Sequence, residues 1–313
     1  MDLPSKVTLR EVAPRDGFQS LPGFILTEQK IEIIEAVARA GVKEIEATSF
    51  VSPKAIPQMR DATDVMRGLP RSGCYYSALV PNLKGAQLAI EARVDNIVVV
   101  ISASEAHSMA NVRRGMKASI ADLPAIFSAA KDQGVAVSGA LAVAFGCPYQ
   151  GDVPHEDVLA LTEAYVENGA ELIILADTTG MATPPRVESL IKSFKGRFAA
   201  TDFALHFHNN RGTAMANLFA ALGAGATIFD TALGGIGGCP NVPQAAGNLP
   251  TEDVVYMLED MGIETGIDLV SIIEAARRLE EIIGHTLPGQ LMKSGPRDPQ
   301  LSAGGCILNP ATA

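Results

Sequence analysis

Eight short apolar runs recur along this chain, each followed by a longer stretch rich in Ala, Leu and Glu. They are Val7–Ala13, Val42–Thr48, Gly73–Val80, Asn96–Ile101, Ala136–Val143, Leu172–Ala176, Phe203–Phe207 and Ile228–Ala232. Several have almost continuously apolar interiors, as in Ile97-Val-Val-Val-Ile101. Parallel strands covered on both faces read this way. The stretches between them carry helical patterns. Thr27–Ala40 opens on Thr27, with Lys30 three places on, so its cap is not a full capping box. Gly41, Gly134 and the pair Asn168/Gly169 stand where helix ends belong. Eight strand-then-helix units at this even spacing predict an α/β fold closed into a (β/α)8 TIM barrel. A doubly wound open sheet is the rival arrangement.

Beyond the eighth unit, Leu249–Met261 and Leu269–Ile283 are amphipathic, and a Gly/Pro-rich tail follows. These helices are expected to pack on the barrel. The chain is therefore read as one catalytic domain over 1–313, with the barrel at about 5–248, a helical extension at about 249–290 and a tail at 291–313. A chain of 313 residues can bury a large core without disulfides. Lys+Arg number 25 against 35 Asp+Glu, an acid excess that argues against nucleic acid as partner. Cys74, Cys147, Cys239 and Cys306 show no paired spacing, which suits a reducing compartment. The first residues are polar, and no apolar run reaches the ~20 residues of a membrane helix. A cytoplasmic protein without a membrane partner is expected.

Active sites of such barrels lie at the C-terminal ends of the strands. The segments that follow the strands here are unusually polar. Pro14-Arg15-Asp16-Gly17-Phe18-Gln19 follows the first strand, Glu46 and Thr48-Ser49 end the second, and Phe145-Gly-Cys147-Pro148 follows the fifth. Asp177-Thr-Thr179-Gly180 ends the sixth, and His206-Phe-His208 the seventh. Gly234-Gly-Ile-Gly-Gly-Cys239-Pro240 and Gly247-Asn248 follow the eighth. Residues two apart in a strand share a face, so His206 and His208 can hold one divalent cation, although paired core histidines show the same spacing. Asp16, Asp177 and Asn248 are nearby candidates for hard oxygen ligands. Such a set favours Mg²⁺ or Mn²⁺ over structural zinc.

Glu46 lies inside an apolar strand, and an unpaired buried carboxylate is costly. Arg15 is its expected partner, in a structural ion pair or a catalytic one. Cys239 sits among four glycines, which suits a mobile lid with an acid/base thiol more than a core position. Gly235–Gly238 is no dinucleotide fingerprint, because it follows the last strand. Cys74 and Cys306 read as structural, while Cys147 is open. His107, His155 and His285 are expected at the surface or at helix ends. Arg113, Arg114 and Lys117 form a basic cluster that suits either a phosphate-bearing substrate or a solvated loop.

Together these motifs resemble the 3-hydroxy-3-methylglutaryl-CoA (HMG-CoA) lyase family, within the metal-dependent lyases and synthases built on TIM barrels. The resemblance runs from about Val7 to Ile283. It rests on Glu11-Val-x-Pro-Arg-Asp-Gly-x-Gln19, Ile45-Glu-x-Thr-Ser-Phe-Val-Ser-Pro-Lys54, Pro81-Asn-Leu-Lys-Gly85, Gly146-Cys-Pro-Tyr149, Asp177-Thr-x-Gly180, His206-x-His208, Gly235-x-Gly-Gly-Cys-Pro240 and Gly247-Asn248. It implies that Asp16, His206, His208 and Asn248 hold Mg²⁺ or Mn²⁺. It further implies that Cys239 is the general acid/base, that Arg15 stabilises an enolate, and that Glu46 and Asp177 shuttle protons or orient the others. Arg15, Gln19 and Ser49 are the expected substrate contacts. The partner so implied is an acyl-CoA, cleaved in HMG-CoA's case to acetyl-CoA and acetoacetate, and family habit implies a homodimer. Asn209-Asn210-Arg211, the stretch after Pro240, Thr179 and Met181 depart from the family pattern. These departures keep citramalyl-CoA and longer 3-hydroxyglutaryl-CoA thioesters in view as substrates. A Claisen-type synthase would lack the Gly-Gly-Cys-Pro loop, and a non-catalytic acyl-CoA binder would lose a ligand or Cys239.

Overall fold

The computed structural model describes residues 2–238 and 247–297. Eight strands form a closed, all-parallel barrel in sequence order: β1 (Thr8–Glu11), β2 (Glu44–Ser49), β3 (Tyr75–Val80), β4 (Asn96–Ser102), β5 (Ala136–Ala142), β6 (Leu172–Asp177), β7 (Asp202–Phe207) and β8 (Ile228–Thr231). β8 pairs with β1 and closes the ring, so the open-sheet alternative is excluded. Each expected strand is present, with ends displaced by at most two residues. The main core lies between the strands' outer faces and the helices, around Ile33, Val65, Ile97, Leu141, Leu190 and Phe229.

The barrel interior is divided by chemistry. Val98, Ala140, Ile174 and Ala204, from β4 to β7, form a small apolar cluster of their own. The opposite wall carries buried charge: Arg10 on β1, Glu46 on β2 and Asp230 on β8. A bulge in β2 falls between Glu46 and Thr48, which pair with consecutive residues of β3. Thr48 then turns outward, its hydroxyl 3.7 Å from the Met59 sulfur. Strand alternation returns Ser49 to the interior, the face that Glu46 also uses.

The first helix, Thr27–Arg39, starts one residue earlier than a Thr27 cap requires, with Leu26 at the cap position. The Thr27 hydroxyl donates to Asp61 Oδ2 at 2.8 Å, and Gln29 Oε1 accepts the Leu26 N–H instead. Asp61 also takes the buried Lys30 ammonium at 2.6 Å. A charged acceptor outcompetes the weaker self-capping bond for that hydroxyl. Gly41, at φ +112°, follows the helix, and its Cβ-free face lets the Gly266 carbonyl approach. The C-terminal helices Thr251–Asp260 and Leu269–Ile283 pack on each other, and the second also lies against Thr27–Arg39. Arg278 joins Glu32 across that contact at 2.6 Å. Among the described residues no helix is long and apolar enough to cross a membrane.

Candidate active site and metal centre

The site is built from the ends of β1, β2, β6, β7 and β8. After β1 the backbone widens into a π-helical turn, Ala13–Gly17, which presents Arg15 and Asp16 side by side over the barrel mouth. His206 lies on β7 and His208 just past its end. The segment from Gly247 onward runs beside that end. His208 bridges Asn248, and the Asn209 N–H reaches the Gly247 carbonyl at 2.9 Å.

Asp16, His206 and His208 each offer a ligand atom, and the three atoms lie within 4.8 Å of one another. His208 Nε2 is 3.5 Å and His206 Nε2 4.0 Å from Asp16 Oδ2. Asn248 Nδ2 donates to that same oxygen at 2.7 Å, while the buried Asn248 Oδ1 makes no hydrogen bond. An orphaned buried acceptor beside two imidazoles and a carboxylate is the donor set a hard divalent cation completes. The backbone leaves room for it. Gly237 sits at φ +127°, and a Cβ there would overlap Asn248 Nδ2 and crowd Asp16 Oδ2. The four residues expected to hold the metal are therefore together, and they fit the group.

Arg15 is bound on two sides. Its Nε donates to Glu46 Oε2 at 2.7 Å, and its Nη1 pairs with Asp16 Oδ1. Burial works against the guanidinium's charge, but Glu46 and Asp16 outweigh it and raise its pKa further. Burial likewise opposes ionisation of Asp16, yet Arg15 and the two imidazoles hold its carboxyl well below the usual range. Burial and the charge of Asp230 push Glu46 upward in spite of Arg15, and its second oxygen has no hydrogen-bond partner. Gln19 donates to Asp16 Oδ1 at 3.0 Å, so it steadies a candidate ligand. Ser49 is fully buried, with a hydroxyl that makes no hydrogen bond.

Asp177, at the end of β6, has one oxygen fastened by the Met181 and Ala182 N–H groups at 2.7 and 3.0 Å. Its other oxygen makes no hydrogen bond. Burial raises its pKa to about 6 against those two bonds, the range of a group that exchanges protons near neutrality. Asp177 does not join the candidate ligand cluster. Arg211, in the departing segment after His208, donates to the Thr179 and Gly180 carbonyls at 2.7 and 2.9 Å and so ties the ends of β6 and β7 together.

Cys239 and Cys306 lie outside the described residues. Cys147 is fully buried and accepts from the Ser104 hydroxyl at 3.1 Å. His107 stands at a helix end, one of the two places expected for it, in the first turn of the helix Glu105–Val112, and is buried there with Nδ1 2.8 Å from the Ser102 hydroxyl. Ser102, at the end of β4, supplies that partner. Arg114 is paired with Asp122. Arg10 and Asp230, two charges buried in the barrel interior, are absent from the sequence-based expectations. The signal that exposes Glu46, a charge inside an apolar strand, is also present at Ile228-Phe-Asp230-Thr.

A family model described as HMGL-like matches residues 6–279. The chain is 45% identical over 291 residues to a hydroxymethylglutaryl-CoA lyase of Bacillus subtilis, covering 93% of this chain and 97% of that one. It is 40% identical over 306 residues to an (R)-citramalyl-CoA lyase of Chloroflexus aurantiacus, covering 94% and 96%. An HMG-CoA lyase structure from Acinetobacter baumannii, in complex with coenzyme A and 3-methylmalate, superposes with TM-score 0.91 at 41% identity, over 96% of this chain and 98% of that one.

Proposed function

The chain belongs to the HMGL-like family of carbon–carbon lyases, and from that premise we propose that it cleaves HMG-CoA to acetyl-CoA and acetoacetate with the help of Mg²⁺ or Mn²⁺. The observation that carries this reading is the Asp16–His206–His208–Asn248 cluster with Arg15 fixed beside it. When bound there, the cation would grip the substrate's tertiary hydroxyl and make it more acidic.

The chain's own residues account for the rest. Asp177, with an oxygen that makes no hydrogen bond and a pKa of about 6, is suited to take the hydroxyl proton. The electron pair left on oxygen forms the new ketone as the carbon–carbon bond breaks, and the bonding pair leaves as the acetyl-CoA enolate. Arg15, held rigid by Glu46 and Asp16, supplies a fixed positive charge for that oxyanion. Ser49 offers an inward hydroxyl to the acyl group, and Gln19 acts through Asp16. The enolate carbon then needs a proton, the role given to Cys239 by the family motif. The whole chain is read as a single catalytic domain, a cytoplasmic homodimer by family analogy. Sedimentation of the purified protein tests the dimer.

A second reading is favoured by the near-full-length similarity to a citramalyl-CoA lyase. Citramalyl-CoA carries the same tertiary hydroxyl on a shorter acid, and longer 3-hydroxyglutaryl-CoA thioesters extend the same head. The test incubates enzyme and Mg²⁺ with HMG-CoA, citramalyl-CoA and a longer homologue, and follows acetyl-CoA by mass. Metal-dependent release from HMG-CoA, lost in Cys239→Ala and His206→Ala, is expected. Release from citramalyl-CoA alone selects the second reading, and no release from any thioester by folded, metal-loaded protein sinks both.

A further inference from the structure

Arg10 and Asp230 are buried charges in the barrel interior that the chemistry above leaves unused. Each is about 3% exposed. The strand register sets them level: Asp230 on β8 pairs with Arg10 on β1 and with His206 on β7. Asp230 Oδ2 lies 3.1 Å from His206 Nδ1, and Asp230 Oδ1 lies 3.1 Å from Arg10 Nη1. Arg10 Nε is 3.3 Å from Glu44 Oε2, toward the polar recess at the N-terminal end of the barrel. The row Glu44–Arg10–Asp230–His206 thus ends at the metal centre.

We propose that Asp230, held in place by Arg10, is the positioning residue of the metal centre, selecting the tautomer and ring orientation of His206. This rests on the reading of Asp16, His206, His208 and Asn248 as the metal site. A carboxylate can only accept a hydrogen bond, so the proton between the two residues sits on His206 Nδ1. The lone pair is then on Nε2, the atom that faces the cluster, 2.9 Å from His208 Nε2 and 4.0 Å from Asp16 Oδ2. Remove Asp230 and the imidazole is free to carry its proton on either nitrogen and to rotate. Remove Arg10 and Asp230 becomes a buried charge with one partner fewer, able to turn away from Nδ1. A buried ion pair in a barrel core is weak support for stability, since an apolar pair of equal volume often does as well. Asp230 meets the candidate ligand set at His206.

The test titrates Mn²⁺ into parent, Asp230→Ala, Asp230→Glu and Arg10→Met proteins, following free Mn²⁺ by electron paramagnetic resonance. Circular dichroism and thermal melting report the fold. Outer partners of metal-bound histidines typically contribute about 10- to 100-fold in metal affinity, and a loss in that range is expected for Asp230→Ala. Arg10→Met should lose less, and Asp230→Glu should recover part of the affinity. The visible spectrum of the Co²⁺-loaded protein should also change in Asp230→Ala, which a purely structural role would not produce. If Asp230→Ala does not fold, Arg10→Met/Asp230→Leu removes both charges at similar volume and should show the same loss. Any folded variant lacking the Asp230 carboxylate that binds Mn²⁺ within about twofold of the parent, well outside the expected range, overturns the proposal alone. A parent that binds no Mn²⁺ overturns the metal-site reading and this proposal with it.

Discussion

Asp177 has the combination a proton-transfer group needs: one oxygen pinned by two backbone N–H groups, the other without a hydrogen bond, and a pKa of about 6 set by burial. As a base it must be ionised, so kcat/KM should fall as pH drops through about 6. Asp177→Asn should remove that acid limb and lower kcat by about 10²- to 10⁴-fold, read from a pH–rate profile. Gly237 makes a different demand on a single residue. Its φ of +127° and its closeness to the Asn248 amide leave no room for a methyl group. Gly237→Ala should weaken Mn²⁺ binding by about tenfold or more, the scale of a disturbed ligand environment, as measured by titration. Binding unchanged from the parent would show that Asn248 is not a ligand, or that the segment yields easily.

At the scale of elements, the turn after β8 is clasped by two buried carboxyls. Glu11 accepts the Ala13 and Leu233 N–H groups and the Thr251 hydroxyl, and Glu252 accepts the Gly234 N–H at 3.0 Å. Burial raises Glu11 to about 7 and Glu252 to about 8, in spite of these bonds. Unfolded, both titrate near 4.5. The folded form therefore holds extra protons between those values. Stability from these groups is fully present below pH 4.5 and is lost as pH rises toward 7 and 8. Glu252→Gln mimics the neutral acid, so it should flatten the fall in melting temperature between about pH 5 and 8. At the alkaline end the gain over the parent should reach up to about 4 kcal/mol, because each tenfold difference in proton affinity between folded and unfolded chain is worth about 1.4 kcal/mol. Parallel melting curves for variant and parent across that range would show that Glu252 does not titrate this way.

At the scale of the molecule, the barrel is an apolar wall from β4 to β7 facing a charged wall from β1, β2 and β8, with the candidate metal site at its mouth. The helix Leu269–Ile283 packs against both Thr251–Asp260 and the first helix and so fills out the outer layer. Leu279, fully buried there, should cost about 2–5 kcal/mol when changed to Ala. The variant's Mn²⁺ affinity, measured on folded protein, should be unchanged, because no candidate ligand lies on that helix. Loss of both together would mean that the outer layer sets the geometry of the barrel mouth.

The sequence alone determined the strand number, their parallel order and the rim on which the candidate site lies. Strand periodicity and the position of polar residues after apolar runs are local properties, readable along the chain. It also paired Glu46 with Arg15, because a charge inside an apolar run must find an opposite charge. What periodicity could not decide was which interior charges meet at one level. Asp230 touches both Arg10 and His206 because the closed barrel sets β8 in register with β7 on one side and, on the other, with β1 from the far end of the chain. The β2 bulge turned Ser49 inward, and Asp61 drew Thr27 away from its cap, each through a partner remote in sequence. His107 is buried because the helix Glu105–Val112 packs back against β4, where the Ser102 hydroxyl meets its ring nitrogen. Whether a lone polar side chain is buried depends on a partner that only the folded chain brings to it.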